Sequence, residues 1–110
     1  MAKKLSGIQF SLIQNNPDSY NAVEAHDPSS NTKVGQMLIM PNSGLISDIT
    51  VDKPYQRRGI ASEMFKLATV AHHALPSQYA LPKHSQYRSP QGDAWAKTVG
   101  GHLPENDWDD

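Results

Sequence analysis

An α+β fold, a mainly antiparallel sheet flanked by two helices, is what this sequence predicts, and three observations predict it. Four short apolar or alternating segments follow one another between residues 8 and 52, each closed by turn-forming residues. At Ile60 the apolar spacing changes from a period of two to the helical period of about 3.6. A second, shorter helical pattern follows a proline-rich stretch and stops at Gly100-Gly101.

Ile8, Phe10 and Leu12 alternate with Gln9 and Ser11 as in a half-buried strand, and Asn15-Asn16-Pro17-Asp18 breaks the pattern. A weaker alternation over Tyr20–Ala25 ends in the turn formers Asp27-Pro28-Ser29-Ser30-Asn31. Val34–Met40 is more continuously apolar, which predicts a strand covered on both faces. Asn42-Ser43-Gly44 then supplies a tight reversal into Leu45–Asp52, where Leu45, Ile49 and Val51 share a face. Strands in such close succession predict an antiparallel meander.

Ile60, Met64, Leu67, Ala68 and Ala71 fall on one helical face, with Ser62, Glu63, Lys66 and Thr69 elsewhere, and Leu75-Pro76 ends the helix. Ser77–Pro90 is interrupted by Pro82 and leaves room for only a short strand near Gln78–Leu81. The second helix is expected over about Gln91–Val99. Residues from Pro104 to Asp110 form an acidic tail, expected to be disordered.

The chain has 110 residues, enough for one hydrophobic core, and a single domain is expected. Ten Lys and Arg against 11 Asp and Glu, a formal charge of -1, provide no general basic field for nucleic acid. Any attraction for anions must be local. The absence of cysteine excludes disulfides, thiolate nucleophiles and cysteine metal sites. No stretch approaches the roughly 18–20 apolar residues of a membrane span, and Met1-Ala2-Lys3-Lys4 is followed by Leu5-Ser6-Gly7 rather than by a long apolar run. The expectation is a soluble, unexported, cytoplasmic protein without membrane partners.

The densest chemical signal runs from Thr50 to Ala68, where an apolar strand enters a basic, glycine-bearing turn that opens a helix. Unpaired amides and the positive end of a helix dipole converge there, as an anion cradle requires. Gly59 suits the closest backbone approach, and Ala61 is small at the second such position. Gln56, Arg57 and Arg58 extend the donor surface. The nucleotide P-loop and the dinucleotide fingerprint do not match, since their glycine count and Lys-Ser/Thr ending are missing.

Gln56-Arg57-Arg58-Gly59-Ile60-Ala61 resembles the (Gln/Arg)-x-x-Gly-x-(Gly/Ala) pyrophosphate motif of the GNAT superfamily of N-acetyltransferases, and Asp48–Tyr55 resembles that family's fourth strand and the step before its loop. The resemblance implies that Gln56 and the loop from Arg57 through Gly59, Ile60 and Ala61 to Ser62 hold the diphosphate of acetyl-CoA. It also implies that the pantetheine arm pairs with the fourth strand at Ile49 and Val51. A weaker likeness covers Ser89–Gly101, with Gly92 at an alanine position, Trp95 at a buried leucine position and Ala96 where a thiolate-protonating tyrosine is usual.

The family's first two helices have no counterpart, because only about five residues around Asn15–Ser19 lie between the first two strands. Nor is there room for its closing hairpin after Gly101. The resemblance therefore implies a reduced fold with an open acceptor side, which leaves room for a homodimer or a protein substrate.

On this basis the expected activity is transfer of an acetyl group from acetyl-CoA to an amine of a protein or small molecule by direct attack. Asp48 is the expected base or water holder, and His84, Ser85 and Tyr87 are the candidates for the acid at sulfur. Bland roles compete for each residue: Asp48 as a hydrogen-bonded strand residue, the His84–Tyr87 loop as backbone satisfaction, Trp95 as core. Adjacent His72 and His73 point to different helix faces, so no metal site is expected. A binding module that keeps the cradle without turnover is the alternative. Nucleic-acid binding through Lys53, Arg57, Arg58 and Lys66 is disfavoured by the balanced charge.

Overall fold

In the computed structural model, which describes residues 7–14, 20–56, 58–86, 88–101 and 103–107, four strands pair in sequence order. They are β1 (Gln9–Ile13), β2 (Asn21–Asp27), β3 (Thr32–Ile39) and β4 (Ile46–Val51), each antiparallel to the next. A short 3-10 turn at Lys53–Tyr55 leads to α1 (Ile60–Ala74), and α2 (Pro90–Val99) follows the proline-rich segment. The described chain is a mixed α+β unit with an antiparallel meander and two helices.

Register decides which side chains meet α1. Phe10 pairs with Ala25, Val23 with Met37, and Met37 with Ile49, so these alternate residues share one sheet face. That face packs on Ile60, Met64 and Ala68 of α1, and Val23, Met37, Ile60 and Met64 are fully buried. Each such side chain contributes roughly 1.5–3 kcal/mol relative to exposure. The other face carries Ser11, Glu24, Gln36 and Asp48 at intervening positions, and among the described residues no helix covers it. Polar residues there tolerate water, and Glu24 accepts contacts from His26 at 3.1 Å and Lys33 at 3.7 Å.

Two expectations need correction. β3 is covered by a helix on one face only, with Gln36 and Leu38 half-buried on the other. The short strand near Gln78–Leu81 is instead a turn, and the pairing falls later, in a single parallel bridge between Leu45 and Lys83. Pro82 has no N–H to give a ladder, whereas Lys83 donates to Gly44 O and accepts from Ile46 N–H, both at 2.8 Å.

Candidate functional site

Among the described residues β4 is the edge of the sheet, and its outer side is open along most of its length. Asp52 N–H donates to Val34 O at 2.8 Å, so by antiparallel alternation the N–H and C=O groups of Ile49 and Val51 point away from β3. Asp48 pairs with Leu38 and Ile46 with Ile39, leaving Ser47 as the extra residue of a bulge. Past that bulge a wedge opens between β4 and the residues His84, Ser85, Arg88 and Ser89. Its apex is the Leu45–Lys83 bridge.

The start of α1 faces this wedge. Gly59, at φ +83°, turns the chain into the helix, and the first intrahelical bond runs from Glu63 N–H to Gly59 O at 2.9 Å. The amides of Ile60, Ala61 and Ser62 therefore have no intrahelical partner, and among the described residues no side-chain cap bond closes the helix start. A Cβ built on Gly59 meets no atom within 4 Å, so the approach is clear. These features fit an anionic group in residue type and in room.

The preceding turn is braced from the β2–β3 turn. Tyr55 donates to Asp27 Oδ2 at 2.6 Å, and the Arg58 guanidinium lies 5.1 Å from the Tyr55 ring centroid. The Tyr55 bond, followed by the hydroxyl and amide of Ser29, holds the Asp27 carboxyl below its ordinary 3.8, and the same bond raises the Tyr55 hydroxyl above its ordinary 10.0. Gln56 Nε2 donates to the outward carbonyl of Val51 at 2.9 Å.

Two clefts occupy the wedge. The first, about 480 Å³, is lined by Ile49, Val51, Gln56, Gly59, Ile60, Ala61 and Ser62, with Ser89, Gly92 and Trp95 across from them. It brings together the expected coenzyme-binding residues except Arg58, which stacks on Tyr55, and Arg57, which lies outside the described residues. The second, about 360 Å³, is lined by Asp48, His84 and Ser85 together with Ile46, Ser47 and Arg88, and it shares Ile49, Ser89, Gly92 and Trp95 with the first. Tyr87 lies outside the described residues.

Asp48 is exposed on the open sheet face, where a carboxylate stays hydrated. His84 is only 4% exposed, stacks on Phe65 at 5.1 Å and donates from Nε2 to Gly100 O at 2.7 Å. That proton is committed to the end of α2. Ser85 is half-buried. Among the described residues no cluster of three His, Asp or Glu side chains is placed to hold a metal ion, and no helix is long and apolar enough to cross a membrane.

The structure adds one organising residue that the sequence reading passed over. Arg88, 7% exposed, donates from Nε to Asp93 Oδ1 at 2.9 Å, from Nη1 to Ser85 O and from Nη2 to Pro104 O at 2.8 Å. Its backbone exchanges hydrogen bonds with the Asn106 side chain at 2.8 and 2.9 Å. Lys97 at 3.0 Å, then Arg88, lowers the Asp93 carboxyl below its ordinary value. Contrary to the expected disorder of the acidic tail, residues 103–107 are strapped to the wall of the second cleft. The local signal was limited to Ser89, whose hydroxyl caps α2 by accepting from Gly92 N–H at 3.1 Å.

Compared with protein-family models, curated proteins and solved structures, the chain finds no match.

Proposed function

We propose that this chain is an acyl-CoA-dependent N-acyltransferase, with acetyl-CoA as donor and an amine of a protein or small molecule as acceptor. One observation carries the proposal: a cleft of about 480 Å³ joins the unpaired edge of β4 to the uncapped amides of α1. A ligand with a diphosphate at one end and an amide-bearing arm suits both walls at once. The motif resemblance at Gln56–Ala61 supports the same ligand.

Acetyl-CoA, when bound, supplies an acyl group activated as a thioester. The amides from Gly59 to Ser62 hold the diphosphate, and the outward backbone groups of Ile49 and Val51 align the arm along β4. One of these outward N–H groups polarises the thioester carbonyl. The acceptor nitrogen enters from the second cleft and bonds to the carbonyl carbon as the C–S bond breaks. Asp48, directly or through water, takes the amine proton. Ser85, in the wall of the second cleft, is the described candidate for returning a proton to sulfur, and Tyr87 keeps the role given by its position in the chain.

A second reading, a coenzyme-binding module without turnover, is favoured by Ala96, 1% exposed where the resemblance places a tyrosine, and by the committed Nε2 proton of His84. Calorimetric titration with acetyl-CoA and CoA, followed by thiol release over an amine panel, separates the two. Binding with turnover is expected. Binding without turnover moves the assignment to the module, and absence of binding overturns both. Gly59→Glu is expected to weaken coenzyme binding at least tenfold, whereas Gly59→Asn, which tolerates positive φ, controls for backbone strain.

A further inference from the structure

Ser62 is the third residue of α1 and lines the first cleft, where its backbone N–H is one of the three amides without an intrahelical partner. Its hydroxyl is engaged in one direction only. Trp95 Nε1 lies 3.1 Å from Ser62 Oγ, and an indole N–H donates but never accepts, so the serine oxygen is the acceptor and its own proton is left over. Thr69 and Thr98 give the corresponding proton to the carbonyl four residues earlier, at 3.0 Å in both cases. Among the described residues Ser62 Oγ has no such second partner. The indole is itself held in place, by edge contacts with Phe65 at 5.7 Å and His84 at 5.6 Å. Those two rings stack at an interplanar angle of 7°, and His84 is tied to Gly100 O. Turning the indole away breaks the hydrogen bond and both edge contacts together.

We infer that Trp95 is a positioning residue for the coenzyme's diphosphate, acting through the Ser62 hydroxyl, an inference that rests on the acyl-CoA function proposed above. A serine hydroxyl in a first helical turn otherwise rotates among staggered positions, some of which return its proton to the backbone. With the indole N–H on one lone pair that freedom is lost, and the proton is offered beside the amides of Ile60, Ala61 and Ser62. A diphosphate there receives a charge-assisted O–H···O⁻ bond in addition to the backbone donors. By this route α2 acts on the cradle through a single atom.

The test is calorimetric titration of the full chain and its variants with CoA, read as a double-mutant cycle. Ser62→Ala is expected to weaken CoA about tenfold, in keeping with loss of a hydrogen bond to a charged group. Trp95→Phe, which keeps an aromatic ring and removes the N–H, is expected to weaken it about fivefold. The double variant is expected to bind no more weakly than Ser62→Ala alone, because the indole acts only through the hydroxyl. Ser62→Thr, which retains a hydroxyl, is expected to keep most of the affinity. A second readout leaves the site unaltered: the indole N–H resonance of Trp95, told from that of Trp108 by Trp108→Phe, is expected to shift when CoA or inorganic pyrophosphate is added. It keeps the inference testable if Trp95→Phe does not fold. Unchanged affinity in Ser62→Ala, losses that add in the double variant, or a Trp95 resonance unmoved by saturating CoA overturns the inference while leaving the donor assignment standing. Failure of CoA to bind the unmodified chain overturns the donor assignment and the inference with it.

Discussion

At Arg88 a buried guanidinium joins the nearby Ser85 carbonyl and Asp93 carboxylate to the Pro104 carbonyl, 16 residues away in sequence. Removing it leaves two carbonyls without their donor and a carboxylate served by Lys97 alone. Arg88→Ala is expected to cost roughly 3 kcal/mol in urea denaturation and to expose residues 103–107 to proteolysis. Gly44 is equally exacting for a steric reason. It sits at φ +79°, and a Cβ there would run into the Leu81 carbonyl where the chain passes on its way to the Lys83 bridge. Gly44→Ala is expected to destabilise by roughly 2–4 kcal/mol and to shift the NMR resonances of Ile46 and Lys83, because the backbone has to give way. The glycine was legible as a turn residue. The chain passing beside it was not, since Leu81 is brought there only by the fold.

At the scale of elements, the tie between the β2–β3 turn and the turn before α1 makes stability depend on pH in a defined direction. The folded Asp27 carboxyl titrates below its ordinary 3.8, chiefly through Tyr55, so its contribution is complete above that value and is lost as pH falls through the lowered one. Tyr55→Phe removes the donor, and its destabilisation is therefore expected to be full near neutrality and to shrink below about pH 4 in acid-titrated thermal melts. Equal destabilisation at pH 7 and pH 2.5 would contradict this tie. The elements themselves were largely readable. α1 starts at Ile60, where the apolar period changes, and α2 starts one residue before the expected Gln91 because Pro90 suits the first helical turn after a serine cap. The coverage of β3 was misread, since a run such as Val34–Met40 looks alike whether a helix or water lies on its second face.

For the whole molecule, the consequential feature is an unfinished sheet edge beside an uncapped helix start. In hydrogen exchange, the amides of Ile49 and Val51 are expected to exchange fast in the free protein and to slow when acetyl-CoA is added. Thr50, directed toward Gln36 on β3, is expected to stay protected in both states. Unchanged exchange at Ile49 and Val51 in the presence of saturating coenzyme would remove the strand-pairing part of the proposed function.

What the sequence determined by itself is local: the order of strands and helices, the glycine turn at Gly59, the proline-bounded start of α2, and the absence of cysteine chemistry. Each depends on residues within a few positions of one another, through side-chain period, backbone freedom and capping. Only the tertiary structure decided the wedge between β4 and the residues His84, Ser85, Arg88 and Ser89, the indole of Trp95 lining two clefts, and the strap held by Arg88. Those arise where segments 15 to 40 or so residues apart are pressed together by burial of one sheet face on α1, and no pattern within any single segment carries that information.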